Sequence, residues 1–522
     1  MYICCLKNLY IHMKQLAIFF LTILFLPLYS QNVFPKHDYN WIAGYPYSTR
    51  DSQINSVRFN FNNNTFKINS LKIDIHMFLN NGTYSDRKGN FLYYTNGCVI
   101  KNKNHQTVNN GDSINSGEVH NYSCKYGYIC NQGAIFFEDL RDSNITYLVH
   151  QRNLFWDYSS GSLSGYIGNL FYTKIDNRLD SGLGKVLQKN VNIVQDTMYT
   201  GSLTACKHAN GKDWWIIQPR LFGKYYHRIL FDTAGFKVVG TQEIGDTTGQ
   251  NAACGSQACF SPDGSKYVRF TSTEGIFIFD FDRQTGLLSN YRKIVRLLLP
   301  SAAVGIAVSP NSRFLYAFAR NKIYQYDLRV ADIEASEEIV AEYDGFLGPY
   351  PTRFYAAQLG PDCKIYFIPT NSSQYMHYIR YPDRKGLACE VVQHGVAYPN
   401  QVNNDGTIPY FPNYRLGVVP THPCDSTISF RVSTKETLPP LSIILYPNPV
   451  GNELNIDYTP DNANGELEVR LFDIVGKTVF NKKFDAFRDP LSINVSNLAE
   501  GMYIIAVSVQ GKKTYISKFI KR

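Results

Sequence analysis

The sequence predicts an all-β chain: a β-propeller of about seven blades, with six or eight also compatible, followed by a small antiparallel β-sandwich. Three observations carry this reading. A strand–turn–strand–break–strand unit recurs, first as ACFSPDGSKYVRFTSTEGIFIFDFD from Ala258 to Asp282, then over Val308–Leu328 and Leu359–Asp383. Its turns repeat at a spacing of about 50 residues, the period of a propeller blade. Aromatic residues make up 14% of the chain, with 38 Tyr and 33 Phe, and helical periodicity is scarce; flat rings suit pleated surfaces. Finally, a Thr-, Ser- and Pro-rich stretch over 418–440 separates the repeats from a terminal segment of about 80 residues with its own turns.

Taken in order, residues 1–30 read as an upstream extension and a signal peptide. Met13-Lys14 gives a positive start and Leu16–Leu28 an apolar run, with cleavage expected between Ser30 and Gln31. The apolar run is too short to span a membrane. Residues 31–417 carry the propeller. Ile54–Phe61 and Phe66–Ile75 alternate as strands, and Ser85–Ile100, Gln132–Gln151 and Leu203–Gln218 repeat the turn-and-strand unit. Six inner units are recognisable; the Ile54–Ile75 strands with the tail from Cys389 to Gly417 supply a seventh.

Net charge is +9, but Lys and Arg are scattered, and no basic stripe interleaved with aromatics is present. Nucleic acid is therefore not an expected partner. Of eleven cysteines, Cys4 and Cys5 precede the exported part. Among the other nine, Cys124–Cys130, Cys254–Cys259 and Cys363–Cys389 are the local candidates for disulfides. The Cys254–Cys259 spacing lacks a second ligand pair, so no metal and no cofactor is expected.

The terminal segment, 441–522, alternates as short strands around Gly476, Gly501 and Gly511. Tyr446-Pro447-Asn448-Pro449, Leu471–Lys477, Leu498–Tyr503 (Gly501 and Tyr503 included) and the closing Lys518–Lys521 resemble the type A C-terminal sorting domain of the Bacteroidetes type IX secretion system. The resemblance implies Sec export, handling by that machinery, and a secreted or outer-membrane-attached, cell-surface protein. The propeller is loosely similar to secreted, WD-type and lactonase-like propellers, which implies no activity.

Motifs for nucleophilic, phosphate-binding or dinucleotide chemistry are missing. The most conspicuous polar–aromatic cluster is His208–Trp215, where Trp214 and Trp215 can form a stacking platform beside His208 and Asp213. Strand alternation argues that the two rings face opposite ways, leaving Asp213 to cap a hairpin. Asp280 and Asp282 share a strand face beside Arg283, and a turn-capping role is favoured over paired acid–base work. His76, His120, His150, His377 and His394 lie one per segment and would serve an enzyme only by converging on the propeller axis. The favoured expectation is a monomeric, non-catalytic binding module for extracellular polysaccharide or protein. A hydrolase or polysaccharide lyase, and an adhesion component, are the alternatives.

Overall fold

The computed structural model describes residues 34–46, 55–157, 164–247, 256–296, 303–425, 428–430, 444–457, 466–485, 491–509 and 513–522. The expected signal peptide and its Ser30–Gln31 junction lie outside these residues. The chain divides into two compact units, Met1–Ser433 and Thr434–Arg522.

The first unit is a propeller. Its first blade pairs Asn40–Gly44, Ser56–Asn60 and Thr65–Leu71, with Ser429–Phe430 laid parallel on the outer edge. Blade two is the three-stranded sheet Gly82–Ser85, Phe91–Thr95 and Ile100–Asn102. Five four-stranded antiparallel sheets follow, whose innermost strands are Ala134–Glu138, Thr204–Lys207, Gln257–Phe260, Gly305–Val308 and Phe354–Leu359.

The ring closes through its packing. A separate apolar cluster fills each junction between successive blades, from Ile42–Met77–Phe91 between blades one and two to Phe318–Phe367 between six and seven. The last cluster sets Trp41 and Phe59 of blade one against Tyr366 and Ile368 of blade seven. Seven blades thus form one ring, with each sheet buried on both faces, which is why its central strands read as nearly continuous apolar runs.

The repeated turns are locally determined. Ser261 accepts the amide of Lys266 on its Oγ at 2.9 Å, and Ser309 accepts that of Phe314 at 2.8 Å. Gly264, Ser312 and Cys363 occupy equivalent left-handed positions, with φ of 73, 57 and 67°. Only Gly264 has no room for a Cβ, which would meet Arg283, Cys206 and Leu416 within 3 Å.

Blade one draws on both ends of the unit. From Asn404 to Phe411 the tail runs along the axis side of Asn40–Gly44, and Gln358 of blade seven holds the Phe411 backbone through both its amide atoms. The chain then straps across the face bearing the Ser-Pro-Asp-Gly turn. Arg415 makes a two-pronged ion pair with Asp38 at 2.7 and 2.6 Å, and Arg283 holds the Gly417 carbonyl. A Cys363–Cys424 disulfide with Cα atoms 5.3 Å apart ends the strap. Within the stretch expected to begin a linker at 418, Cys424 is thus tied to blade seven and Ser429–Phe430 pairs with blade one.

Two disulfide expectations are corrected. Cys124 bonds Cys98, not Cys130, because the short helix Glu118–Ser123 brings it onto the end of blade two; Cys363 bonds Cys424, not Cys389. Cys389 is buried between blades six and seven. The Cys254–Cys259 pair falls outside the described residues at Cys254.

The second unit is a sandwich. A three-stranded sheet (Ile444–Tyr446, Glu453–Asp457, Leu491–Asn494) and a four-stranded sheet (Thr478–Asp485, Glu466–Phe472, Gly501–Val509, Lys513–Lys521) enclose Leu454, Val469, Ile493, Ile505 and Phe519. Asn448 accepts the Ile520 amide at 2.9 Å and donates to the Lys518 carbonyl at 3.4 Å. Tyr503 donates to the Ala499 carbonyl and stacks on Phe519. Gly476 takes φ 86° at the tip of the 466–485 hairpin. Motif residues far apart in sequence thus meet on the last strand.

Candidate functional site: an aromatic arc on the open face

The residues first suggested by the sequence are structural. Trp214 and Trp215 are each only 3% exposed. Trp214 enters the core between blades three and four, and Trp215 the core between four and five. Alternation along one strand separates them, so no stacking platform exists there. His208 and Asp213 close the preceding hairpin: the His208 amide donates to the Asp213 carbonyl at 2.8 Å, and Asn210 Nδ2 donates to the Asp213 carboxylate at 2.6 Å. Asp280 takes Lys266, Arg292 and Asn290, while Asp282 caps its own turn through Gln284 and Thr285.

The axis does not gather the histidines. It is crossed by amide side chains: Gln132 bonds both backbone groups of Ala258, and Gln257 spans from Ile306 to Ala357. Behind the strap a cavity of about 70 Å³ remains, lined by Gln132, Gln257, Cys259, Phe411 and Asn413. That is room for a few waters. His150 is buried within blade three between Asn115 and Thr173, and burial pushes its pKa down to about 3. His377 is buried in blade seven, likewise pushed to about 3. His120 lies beside the Cys98–Cys124 bond, and His422 beside Cys363–Cys424, but in both groups the sulfurs are joined to each other.

What the structure does bring together lies on the face opposite the strap. The His76 ring stacks on Tyr45 at 4.6 Å and 20°, with Tyr126 edge-on at 6.3 Å. His76 Nε2 meets Asp405 Oδ2 at 3.0 Å, and the Tyr45 hydroxyl pairs with Ser372 Oγ at 2.9 Å. Burial raises the Tyr45 pKa, so this hydroxyl stays protonated. Ser373 bridges to Pro349, and the Tyr350 ring beyond it is 56% exposed. The arc continues through Phe346, edge-on to Tyr375 at 5.2 Å and 4.2 Å from the ring of His394. His394 Nε2 pairs with Asp344 at 2.8 Å. Burial alone would raise the Asp344 pKa, but the Phe346 amide and His394 outweigh it and hold the carboxyl below its ordinary range.

Each part has a local cause. Tyr45 ends the first strand of blade one, and His76 lies in the connection to blade two. Tyr126 follows the Glu118–Ser123 helix, which the Cys98–Cys124 bond secures. Tyr350 sits in the 343–353 loop between blades six and seven. Tyr126 and Tyr350 expose more than half their surface, as does Leu347. Exposed rings flanked by carboxylates and hydroxyls can stack on the C–H faces of sugars while accepting hydrogen bonds from their hydroxyl groups. Of these residues the sequence singled out only His76 and His394, for a different place. The one signal available was loop tyrosines beside Gly and Pro, as in Gly44-Tyr45-Pro46 and Gly348-Pro349-Tyr350, and 38 tyrosines bury it.

Residues 444–522 match the family described as the secretion system C-terminal sorting domain. The protein is thus exported through the type IX system and is secreted or attached at the cell surface. No helix among the described residues is long and apolar enough to cross a membrane. A search of curated proteins gives no match. Among solved structures, a protein from Lactobacillus plantarum is similar at 12% identity and TM-score 0.40, over 71% of this chain and 98% of that one. A periplasmic gluconolactonase of Pseudomonas aeruginosa is similar at 11% and 0.38, over 71% and 98%. The extracellular domain of a hybrid two-component system from B. thetaiotaomicron is similar at 10% and 0.36, over 86% and 57%. Such identities and scores bring no activity across, and the propeller stands on its own strand pairing.

Proposed function

We propose that this is an exported propeller that binds extracellular carbohydrate, without altering it, through the arc Tyr126–His76–Tyr45–Tyr350–Phe346. The observation that carries the reading is two groups of partly exposed rings, Tyr126–His76–Tyr45 and Phe346–Tyr375–His394, joined through the Tyr45–Ser372 and Ser373–Pro349 contacts, with Asp405 and Asp344 able to hydrogen-bond sugar hydroxyls. A rigid ring of blades holds these loops at fixed spacing, which suits a repeating polymer. Against catalysis, the blocked axis keeps the histidines apart, and the arc holds no activated nucleophile.

One observation favours a second reading. The His76–Asp405 pair resembles the orienting half of a general base, as an extracellular hydrolase or lyase would use it. Both readings are tested on the chain from Gln31 to Arg522, by polysaccharide pull-down and glycan array with product analysis. Retention without product is expected, with Tyr126→Ala and Tyr350→Ala each weakening it about threefold to tenfold, the range of a lost ring contact. Product that disappears in His76→Gln would establish the enzyme instead. Retention untouched by both tyrosine variants, or retention of proteins alone, would overturn the arc as a sugar site.

A further inference from the structure

At the junction of blades six and seven the arc ends beside two arginines that no described carboxylate holds. Arg320 sits at the tip of the two-residue hairpin between Phe314–Ala319 and Lys322–Asp327, and Arg353 immediately precedes the innermost strand of blade seven, Phe354–Leu359. The Phe354 amide donates to the Arg320 carbonyl at 2.7 Å, which sets the two arginines on adjoining backbone. Arg353 holds its guanidinium over the Tyr343 ring at 6.0 Å. Tyr343 in turn donates its hydroxyl to the Phe346 carbonyl, and the Thr352 hydroxyl lies 3.3 Å from that carbonyl and 3.4 Å from Nδ1 of His394. Arg353 is thus one ring away from the Phe346–His394 end of the arc.

The charges of this junction do not balance. Lys322 pairs with Glu342 at 3.0 Å, and His394 with Asp344 at 2.8 Å. Arg320 and Arg353, both half-buried, make no ion pair and no side-chain hydrogen bond among the described residues, and Nε of Arg353 is shielded from water without an acceptor. The turn gives no reason for an arginine at 320 either, since its φ of 56° is a left-handed position that favours glycine. A guanidinium keeps its charge throughout the working pH range, and its planar fork fits two oxygens of a carboxylate or a sulfate. Held partly out of water on an open face, such a charge attracts an anion more strongly than a fully solvated one does.

We propose that Arg320 and Arg353 form an anion-binding subsite at the end of the arc, so that the polymer bound there is acidic, its sugars carrying carboxylates or sulfates. The inference rests on the arc as a sugar site, with the rings taking the C–H faces and the arginines the charge. The chain from Gln31 to Arg522 is applied to an array that pairs neutral glycans with their uronate and their sulfated counterparts, and these two arms tell carboxylate from sulfate. Acidic members of one kind should be retained about tenfold more tightly than their neutral counterparts, and the preference should shrink as ionic strength rises. Arg353→Gln and Arg320→Gln should each weaken retention of the acidic members about threefold to tenfold and leave the neutral ones unchanged. If Arg353→Gln does not fold, Arg320→Gln and the salt dependence of the unaltered chain decide. Equal retention of acidic and neutral members, or a preference that survives both substitutions, would overturn the proposal. Neutral glycans retained through Tyr126 and Tyr350, with no effect of either arginine, would remove the subsite and leave the arc standing; retention of no glycan at all would remove both.

Discussion

On one face of the propeller, a strap of backbone from Pro412 to Cys424 is pinned by the buried Arg415–Asp38 pair, by Arg283 on the Gly417 carbonyl and by a disulfide; on the other, loops carry tyrosines open to solvent. Both faces are rich in rings and charges, yet the two use them differently. Beneath the strap, Asp38 and Arg415 are almost sealed from water, their side chains 4% and 7% exposed, and Tyr414 packs on His37 and Trp214. Across the arc, the acid of each His–Asp pair stays wet: Asp405 keeps 31% and Asp344 42% of its side-chain surface. Burial turns the same chemistry into a clamp on one side and leaves it free to meet a ligand on the other.

The sharpest way to break this contrast is at the clamp. Arg415→Met leaves the Asp38 carboxylate buried without its partner, and also releases the Pro35 and Pro423 carbonyls. A loss of about 3–5 kcal/mol is expected from chemical denaturation, the range for one stranded member of a buried pair. Asp38→Leu combined with Arg415→Met should recover much of it, since no charge is then left unpaired. A single-variant loss below 1 kcal/mol would mean that the strap is not a clamp.

A smaller effect is expected from acid. His150 accepts and donates only to the neutral partners Asn115 and Thr173, and its burial lowers its pKa from 6.5 to about 3. Above pH 6.5 folded and unfolded chains bind the same number of protons at this site, so its contribution is complete there. Between 6.5 and 3 the unfolded chain takes up the proton first, and stability falls by up to about 1.4 kcal/mol per pH unit. His150→Gln should flatten the acid limb of the stability profile by that slope. His377, depressed in the same way, would supply what remains. An unchanged slope in the variant would show that His150 is not buried neutral.

The ring was legible in the sequence because its repeated blades rest on local rules. Ser261, Asp263 and Gly264 form the turn their side chains dictate, and strand alternation parted Trp214 from Trp215 as expected. The tail from Cys389 did not complete blade one as read: its strand Val391–Ala397 belongs to blade seven, and Ser429–Phe430 supplies the outer strand of blade one. What could not be read were contacts between residues distant in sequence. Cys124 found Cys98 through a helix of six residues, and Cys424 found Cys363 by way of a strap that composition presents as a linker. The arc escaped for the same reason. Tyr45, Tyr126 and Tyr350 are alike in sequence to the many core tyrosines, and only the assembled ring leaves them outside.

The finest test sets those tyrosines against the tryptophans. Trp215 is packed among Cys206, Phe281 and Leu416, and its Nε1 donates to the Arg283 carbonyl at 2.9 Å, so Trp215→Ala should cost about 3–5 kcal/mol. Tyr350→Ala removes a ring that is mostly in water, and its expected effect on unfolding lies within about 0.5 kcal/mol. Tyr126→Ala should be equally mild, apart from the contact Lys125 makes over its ring. A residue whose removal leaves folding untouched is not held in place by stability, so weakened retention in the same variants assigns its exposed ring to recognition. Were Tyr350→Ala to unfold the chain instead, the open face would be a second structural cap, and the comparison between the faces would collapse.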